Sequence, residues 1–538
     1  MQQIYDIIFQ IEMRSGGTGK TMSPSPSSGV KAERTVRTML FNSVHFLLFF
    51  PAVLLTFHLL PRTAKPLWLL LCSYYFYMSW NAKYALLLLF STVVTYGCAL
   101  AIEKVSGTHA PNDPSGIRLK RLILGAGIGS NLAILFFFKY LNLFFDVIVS
   151  LGECIGITVS APAWDLLLPV GISFYTFQAI GYTIDVYRNH VAAEKNFIRY
   201  ALFVSFFPQL VAGPIERSSN LIAELQNMRR PDWTAFRRGF VTMIWGFFLK
   251  MVIADRIAIF VDAVYTSDTD LSGAYILAAT VLFAFQIYCD FAGYSIIAQG
   301  AAQTLGIRLM DNFHTPYLST SVREFWRRWH VSLSSWFRDY LYIPLGGSRR
   351  GTARTYRNLL IVFAVSGLWH GAEWSFVVWG LLNGMFQIAE DLLDRTAKKL
   401  RRTKSPTRTV SLGEQITRTL LTFALVDITW IFFRADTIDT AIRLMRNLLF
   451  HFDAWVLFDQ SIYSFGLSQQ EFSVMLSGIG ILLFSDIMAY RGCRLSDLLE
   501  AQPLVFRWTV YILSILAIVV FGVWGTNYDA AGFIYFQF

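Results

Sequence analysis

Charge is scarce in this chain. Asp, Glu, Lys and Arg make up 15% of its 538 residues, against 54% hydrophobic and 16% aromatic, a balance that excludes a solvated or disordered protein. The net charge of +10 does not point to nucleic acid, because Lys and Arg fall in loops between apolar runs, as membrane topology requires. Lipid headgroups account for them. Cysteine is sparse too: Cys72, Cys98, Cys154, Cys289 and Cys493 are scattered, with no Cys-x-x-Cys and no Cys/His cluster, so neither a disulfide framework nor a zinc site is indicated. Further absences narrow the chemistry. No Gly-x-Ser-x-Gly elbow supports a serine-nucleophile hydrolase. The loop Ile343-Pro344-Leu-Gly346-Gly347-Ser348-Arg349-Arg350 lacks the Gly-Lys-Ser/Thr ending of a phosphate loop. No internal repeat of the transporter kind is visible.

What the chain does have is long apolar runs. A hydrocarbon core about 30 Å thick needs roughly 20 apolar residues per helical crossing. Candidate spans recur near 41–60, 66–80, 83–102, 122–150, 165–187, 196–214, 239–264, 273–302, 358–380, 381–392, 416–434, 473–490 and 506–525. Several are short, polar or broken by glycine, so the expectation is an all-α polytopic membrane protein with about ten to twelve crossings plus re-entrant and interfacial helices. Runs this long exclude a transmembrane barrel, which reads as alternating segments of about ten residues. Arg62 and Lys65 follow the first span, and Lys104, Arg118, Lys120 and Arg121 follow the third, whereas the loop after the second holds only Lys83. Positive-inside counting then places the start of the first span outside. Residues 1–38 conflict with this, because Arg14, Lys20, Lys31, Arg34 and Arg37 would be translocated. The stretch lacks a signal-peptide apolar region and is expected to be a disordered or non-native extension, with Met39 as the physiological start. Residues 39–538 then form a single transmembrane domain, its motif core at 165–390. The basic stretch Arg395 to Arg408, with Lys398, Lys399, Arg401, Arg402 and Lys404, reads as a cytoplasmic linker beside anionic lipid.

Three places carry chemistry. Asp290 lies in an apolar helix-like run with Gln286, Tyr288 and Tyr294, and a buried acid there is either a helix–helix hydrogen-bond partner or part of a polar cavity. In Arg323 to Tyr340, Trp326, Trp329, Leu333, Trp336 and Tyr340 form one stripe and Arg323, Arg327, His330, Ser334 and Arg338 another. That spacing predicts an amphipathic helix in the membrane interface, and it places His330 on the polar stripe, the position of a surface histidine. His370 is different. Its segment is apolar on both sides and is loosened by Gly367, Gly371, Gly380 and Gly384, which permit close helix approach or a break. An ionisable ring at that depth either bonds a neighbouring helix or acts in chemistry, and imidazole is suited to take a proton from a hydroxyl near neutral pH.

Six ordered blocks give a resemblance. They are Pro169-Val-Gly171-Ile-Ser173-Phe-Tyr175-Thr-Phe177-Gln178 with Tyr182 and Asp185; Phe206-Phe-Pro208-Gln209 to Gly213-Pro214-Ile-Glu216-Arg217; Gln286 to Tyr294; Arg323 to Gly347; Ser366 to Trp374; and Trp430-Ile-Phe-Phe-Arg434-Ala435. In this order the chain resembles the membrane-bound O-acyltransferases, most closely the branch that O-acetylates alginate, from Phe41 almost to the C-terminus. The resemblance implies a ring of helices around a thinned membrane centre, where a cytoplasmic funnel meets an outer one in a bacterial inner membrane. It makes His370 the family's invariant catalytic histidine and His330 its second catalytic position, with Asp290, Gln286, Arg323, Trp326, Arg327, Trp369 and Glu373 as substrate-binding candidates. It implies no bound cofactor, a cytoplasmic thioester donor such as acetyl-CoA or an acyl carrier, a periplasmic acetyltransferase partner, and an exported polysaccharide such as alginate as acceptor. Two residues depart from the pattern, Glu373 and Asn383. If the helix runs on past His370, Glu373 shares its face and could orient the imidazole; otherwise it is an exposed carboxylate at the edge of the span. Two other readings stay open: D-alanyl transfer to teichoic acid from a carrier protein, and a polysaccharide exporter or channel without acyl transfer. Trp369-His370-Gly371-Ala372 favours the acetylating branch.

Overall fold

Polar caps punctuate the apolar runs and turn them into separate helices. In a computed structural model of the chain, the described residues are 39–524, apart from 111, 159–167, 212, 229–230, 268 and 401–410, together with 534. The expected extension 1–38, the first residues of the span at 165–187 and the linker residues Arg401, Arg402 and Lys404 lie outside them. The helices in chain order are α1 (Val44–Leu59), α2 (Lys65–Met78), α3 (Ala85–Thr108), α4 (Pro114–Leu135), α5 (Leu141–Cys154), α6 (Ile172–Tyr187), α7 (Phe197–Ser205), α8 (Phe207–Leu210), α9 (Ser218–Gln226), α10 (Trp233–Phe247) and α11 (Asp255–Tyr265). They continue with α12 (Gly273–Thr304), α13 (Val322–Arg328), α14 (Val331–Phe337), α15 (Thr352–His370), α16 (Trp374–Leu400), α17 (Leu412–Arg434), α18 (Ile438–Phe450), α19 (Gln469–Tyr490), α20 (Leu495–Glu500) and α21 (Leu504–Phe521). Side chains of Ser43, Asp113, Asp232, Ser272, Ser321 and Ser411 accept the first free amides of their helices, and Ser468 with Glu471 makes a full capping box on α19.

Among the described residues seven helices are long and apolar enough to cross a membrane. The expected number was higher because the sequence counts α1, α2 and α6 as well. At 14 to 16 residues and about 1.5 Å per residue, these fall short of a 30 Å core if it is not thinned. π-helical turns at Phe136–Tyr140 and Phe248–Ala254 carry α4 into α5 and α10 into α11.

Several basic loop residues are held in ion pairs: Lys195 with Glu103, Arg237 and Arg238 with Glu500, and Arg323 and Arg395 with Asp391. Positive-inside counting assigns basic loops of this kind to the cytoplasm.

The run 358–380 is not one span. α15 ends at His370, Gly371 is extended, and α16 starts at Trp374, so the two helices fold back as a hairpin. Glycines set their approach: a β-carbon at Gly367 would collide with the Phe376 carbonyl, and one at Gly380 with that of Phe363. Gly380→Val should therefore force the hairpin open, at a cost of about 1–3 kcal/mol or more, and sharply lower the yield of monodisperse protein on size exclusion. Gly413→Val, which meets nothing within 4 Å, should leave that yield unchanged.

Candidate active site

His370 is the last residue of α15 and is 4% exposed. Its ring is caged by Trp369, Trp379 and Phe433, with centroids at 4.9, 5.1 and 5.3 Å, all near edge-on. The end of a helix leaves carbonyls without intrahelical partners, and here the π-helical turn between α4 and α5 supplies them. Lys139 Nζ donates to the carbonyls of Trp369 (2.7 Å) and His370 (2.9 Å), and the Tyr140 hydroxyl donates to that of Leu368 (2.9 Å). An ammonium at a helix C-terminus also complements the helix dipole. Inserting one residue into the turn makes two neighbours, Lys139 and Tyr140, face α15 together, in keeping with the frequency of π-bulges at functional sites.

Lys139, Ser173, Phe174, Val211, Trp369 and His370 line a cavity of about 30 Å³. That is room for roughly one water, so any larger ligand enters only if these walls move. Lys139→Met keeps the bulk of the side chain and removes both hydrogen bonds. It is expected to lower kcat by about tenfold, close to the value of a single charge-assisted hydrogen bond, with KM little changed. An equal loss in kcat and in folded protein would make Lys139 merely structural.

His330 is 1% exposed and has a left-handed backbone, φ 44°. The helix expected over 323–340 is broken at this residue: α13 stops at Arg328, α14 starts at Val331, and a third π-helical turn follows at Arg338–Tyr342. The break takes His330 off the polar stripe and turns it inward. The cause lies upstream, where the Val331 amide donates to the Asn312 carbonyl and the His314 amide to the Arg328 carbonyl, both at 2.9 Å. The Asn312 side-chain oxygen accepts from the Ser332 amide (3.3 Å) and the Ser332 hydroxyl (2.8 Å), and its amide nitrogen donates to Ser295 (3.2 Å). His330 Nδ1 lies 3.0 Å from that same oxygen, so Nδ1 carries the proton and Nε2 the lone pair. The ring packs against Phe291 at 4.6 Å and Trp369 at 6.1 Å. Trp369 thus packs against both histidine rings, His330 at 6.1 Å and His370 at 4.9 Å.

The other sequence candidates divide into three groups. Trp369 contacts both histidines. Trp326 is one layer out, edge-on to Trp379 at 5.6 Å, with its Nε1 donating to Asn383 (3.1 Å); Asn383 donates in turn to the Thr429 hydroxyl. Arg323 and Arg327 are exposed, Arg323 beside Asp391. Asp290 belongs to a buried ion cluster: Lys250 Nζ contacts it at 2.6 Å and Asp255 at 2.7 Å, and the Ile534 amide donates to it at 2.9 Å. Gln286 is buried one turn earlier on α12. Glu373 sits in the link between α15 and α16, not on a helical face shared with His370, and is exposed. Its carboxyl is held above the usual range, first by partial loss of solvent and then by the Asp146 and Asp436 carboxylates. Lys139, Tyr140, Asn312 and Ser332 went unnoticed in the sequence. Lys139 carried a usable signal, since a cation inside an apolar run is as unusual as His370.

Two buried histidines, both packed against Trp369, thus sit within a bundle of apolar helices long enough to cross a membrane. The chain belongs to the membrane-bound O-acyltransferase family, whose model matches residues 187–426. It is 38% identical to "Probable alginate O-acetylase" of Pseudomonas putida over 78% of this chain and 82% of the relative. It is 34% identical to the peptidoglycan O-acetyltransferase of Helicobacter pylori over 77% of this chain and 80% of that one. The match to the teichoic acid D-alanyltransferase of Streptococcus thermophilus is 29% over 44% of this chain and 60% of the relative. The chain is therefore a multi-pass O-acyltransferase of the bacterial inner membrane.

Proposed function

We propose that this enzyme moves acetyl groups from acetyl-CoA on the cytoplasmic side across the inner membrane to hydroxyls of an exported polysaccharide, directly or through a periplasmic acetyltransferase partner. The observation that supports it most is the placement of His330 and His370 around Trp369 at a capped helix end. In this reading His370 takes the proton of the acceptor hydroxyl as its oxygen attacks the thioester carbonyl. The carbon–sulfur bond then breaks, and the thiolate leaves with a proton returned by the imidazole. His330 positions the acceptor or polarises the carbonyl. Arg323 and Arg327 meet the donor's phosphates on the cytoplasmic face. Alginate and peptidoglycan, the acceptors in the names of the relatives, set the acceptor class as an exported glycan.

The test uses inside-out membrane vesicles containing the enzyme, its periplasmic partner and nascent polymer, supplied with radiolabelled acetyl-CoA. Label in alkali-labile esters of the polymer is the expected result. Label that arrives only from a carrier-protein thioester would overturn the donor assignment and favour the D-alanyl-type reaction.

A further inference from the structure

A cavity of about 840 Å³ lies behind the wall that holds His330 and has no part in the reaction above. It opens between α10, α12, α19 and α21, and Trp245, Phe248, Ala292, Leu482 and Ala517 make its shaft apolar. Its size falls within the range of about 300–1,000 Å³ typical of sites for whole organic ligands. A two-carbon acyl group needs none of that length.

Gln299, Asp311, His314, Arg328, Arg494 and Ser496 are among its polar lining residues, and Asp311 accepts from Gln299 Nε2 at 3.2 Å. Arg328 is already committed, paired with Glu324 at 2.8 Å and lying over the Tyr490 ring at 4.9 Å. Arg494 is exposed at the lip, where α20 begins. Deeper in, Asp486 accepts from the Tyr288 hydroxyl at 3.1 Å, so the acid in the shaft is turned into the wall. An apolar shaft between membrane-crossing helices with the Arg494 guanidinium at its lip complements one ligand class, a lipid with an anionic headgroup and a long chain.

The cavity also adjoins the catalytic centre. Asn312 and Phe313 line it; Asn312 is the residue that orients His330, and Phe313 stands edge-on to Phe291 and Trp329, both at 5.1 Å. We infer that this crevice binds a glycerophospholipid of the inner leaflet, with one acyl chain in the shaft behind Asn312 and the phosphate at Arg494 and Ser496. The bound chain supports the wall on which His330 depends.

Vesicles of phosphatidylethanolamine and phosphatidylglycerol, doped with a phosphatidylglycerol bearing a diazirine in its acyl chain, test this on the full-length enzyme. Photolysis is expected to label the cavity-facing residues Leu482, Ser485 and Ser514. Arg494→Glu and Ala517→Trp should each lower that labelling several-fold while leaving outward-facing Phe484 labelled as before. If Ala517→Trp does not fold, Arg494→Glu at the exposed lip still decides. Labelling restricted to outward-facing positions, or unchanged in the Arg494 variant, would mean annular lipid only and would overturn the assignment. Loss of labelling on adding inorganic phosphate would also overturn it, by making the lip a free-anion site.

Discussion

Vesicles carrying His370→Ala are expected to transfer acetyl groups about 10²–10⁴-fold more slowly than wild type, the usual contribution of a positioned general base. The imidazole is the only part of the side chain that can accept the hydroxyl proton, and its cage of Trp369, Trp379 and Phe433 holds it in one place. His370→Gln fills the cage and keeps a hydrogen-bonding group without basicity, so it should be nearly as slow. Both variants should reach the membrane at normal levels, because Lys139 and Tyr140 hold the end of α15 through backbone carbonyls that neither substitution touches. A His370→Gln rate within a few-fold of wild type would remove the residue from the chemistry.

The second large effect concerns His330 and its orienting partner. His330→Ala is expected to slow transfer by about 10²-fold, the lower range for a group acting on the reacting atoms. Asn312→Ala should cost about tenfold, because it releases Nδ1 and lets the ring adopt the tautomer with its lone pair on the wrong nitrogen. Asn312 acts through His330, so the double variant should be no slower than His330→Ala alone, a coupling that a double-mutant cycle measures directly. Full additivity would separate the two residues. A conservative Asn312→Asp variant still accepts from Nδ1 and should recover part of the rate, which a purely structural role for Asn312 would not explain.

Composition made the membrane class legible, and the apolar flanks of His370 marked it as unusual. The segment around His330 misled because its stripes have helical periodicity. The backbone bonds from Asn312 and His314 break that helix, and they come from a loop that no local spacing reveals. The role of Asp290 was hidden for a similar reason. Lys250, its partner in the ion cluster, is 40 positions away on another helix, so the sequence could leave open only whether the acid meets a helix or a cavity. The tight hairpin of α15 and α16 was partly visible in Gly367, Gly371 and Gly380, which allowed either close approach or a break. The structure uses both, and the break falls immediately after the histidine. Glu373 consequently leaves the face of His370. Lys139 was overlooked because its run is long enough to read as one uninterrupted span, whereas the π-helical turn at Phe136–Tyr140 is set by its packing against the end of α15.

The central claim is that this protein acetylates a glycan through His370. It is tested most directly by the acetyl ester content of cell-surface polysaccharide from cells expressing wild type or His370→Ala at matched membrane levels. Loss of ester with polymer yield intact is the predicted result; ester retained in the variant, or polymer lost along with it, would contradict acyl transfer through this residue.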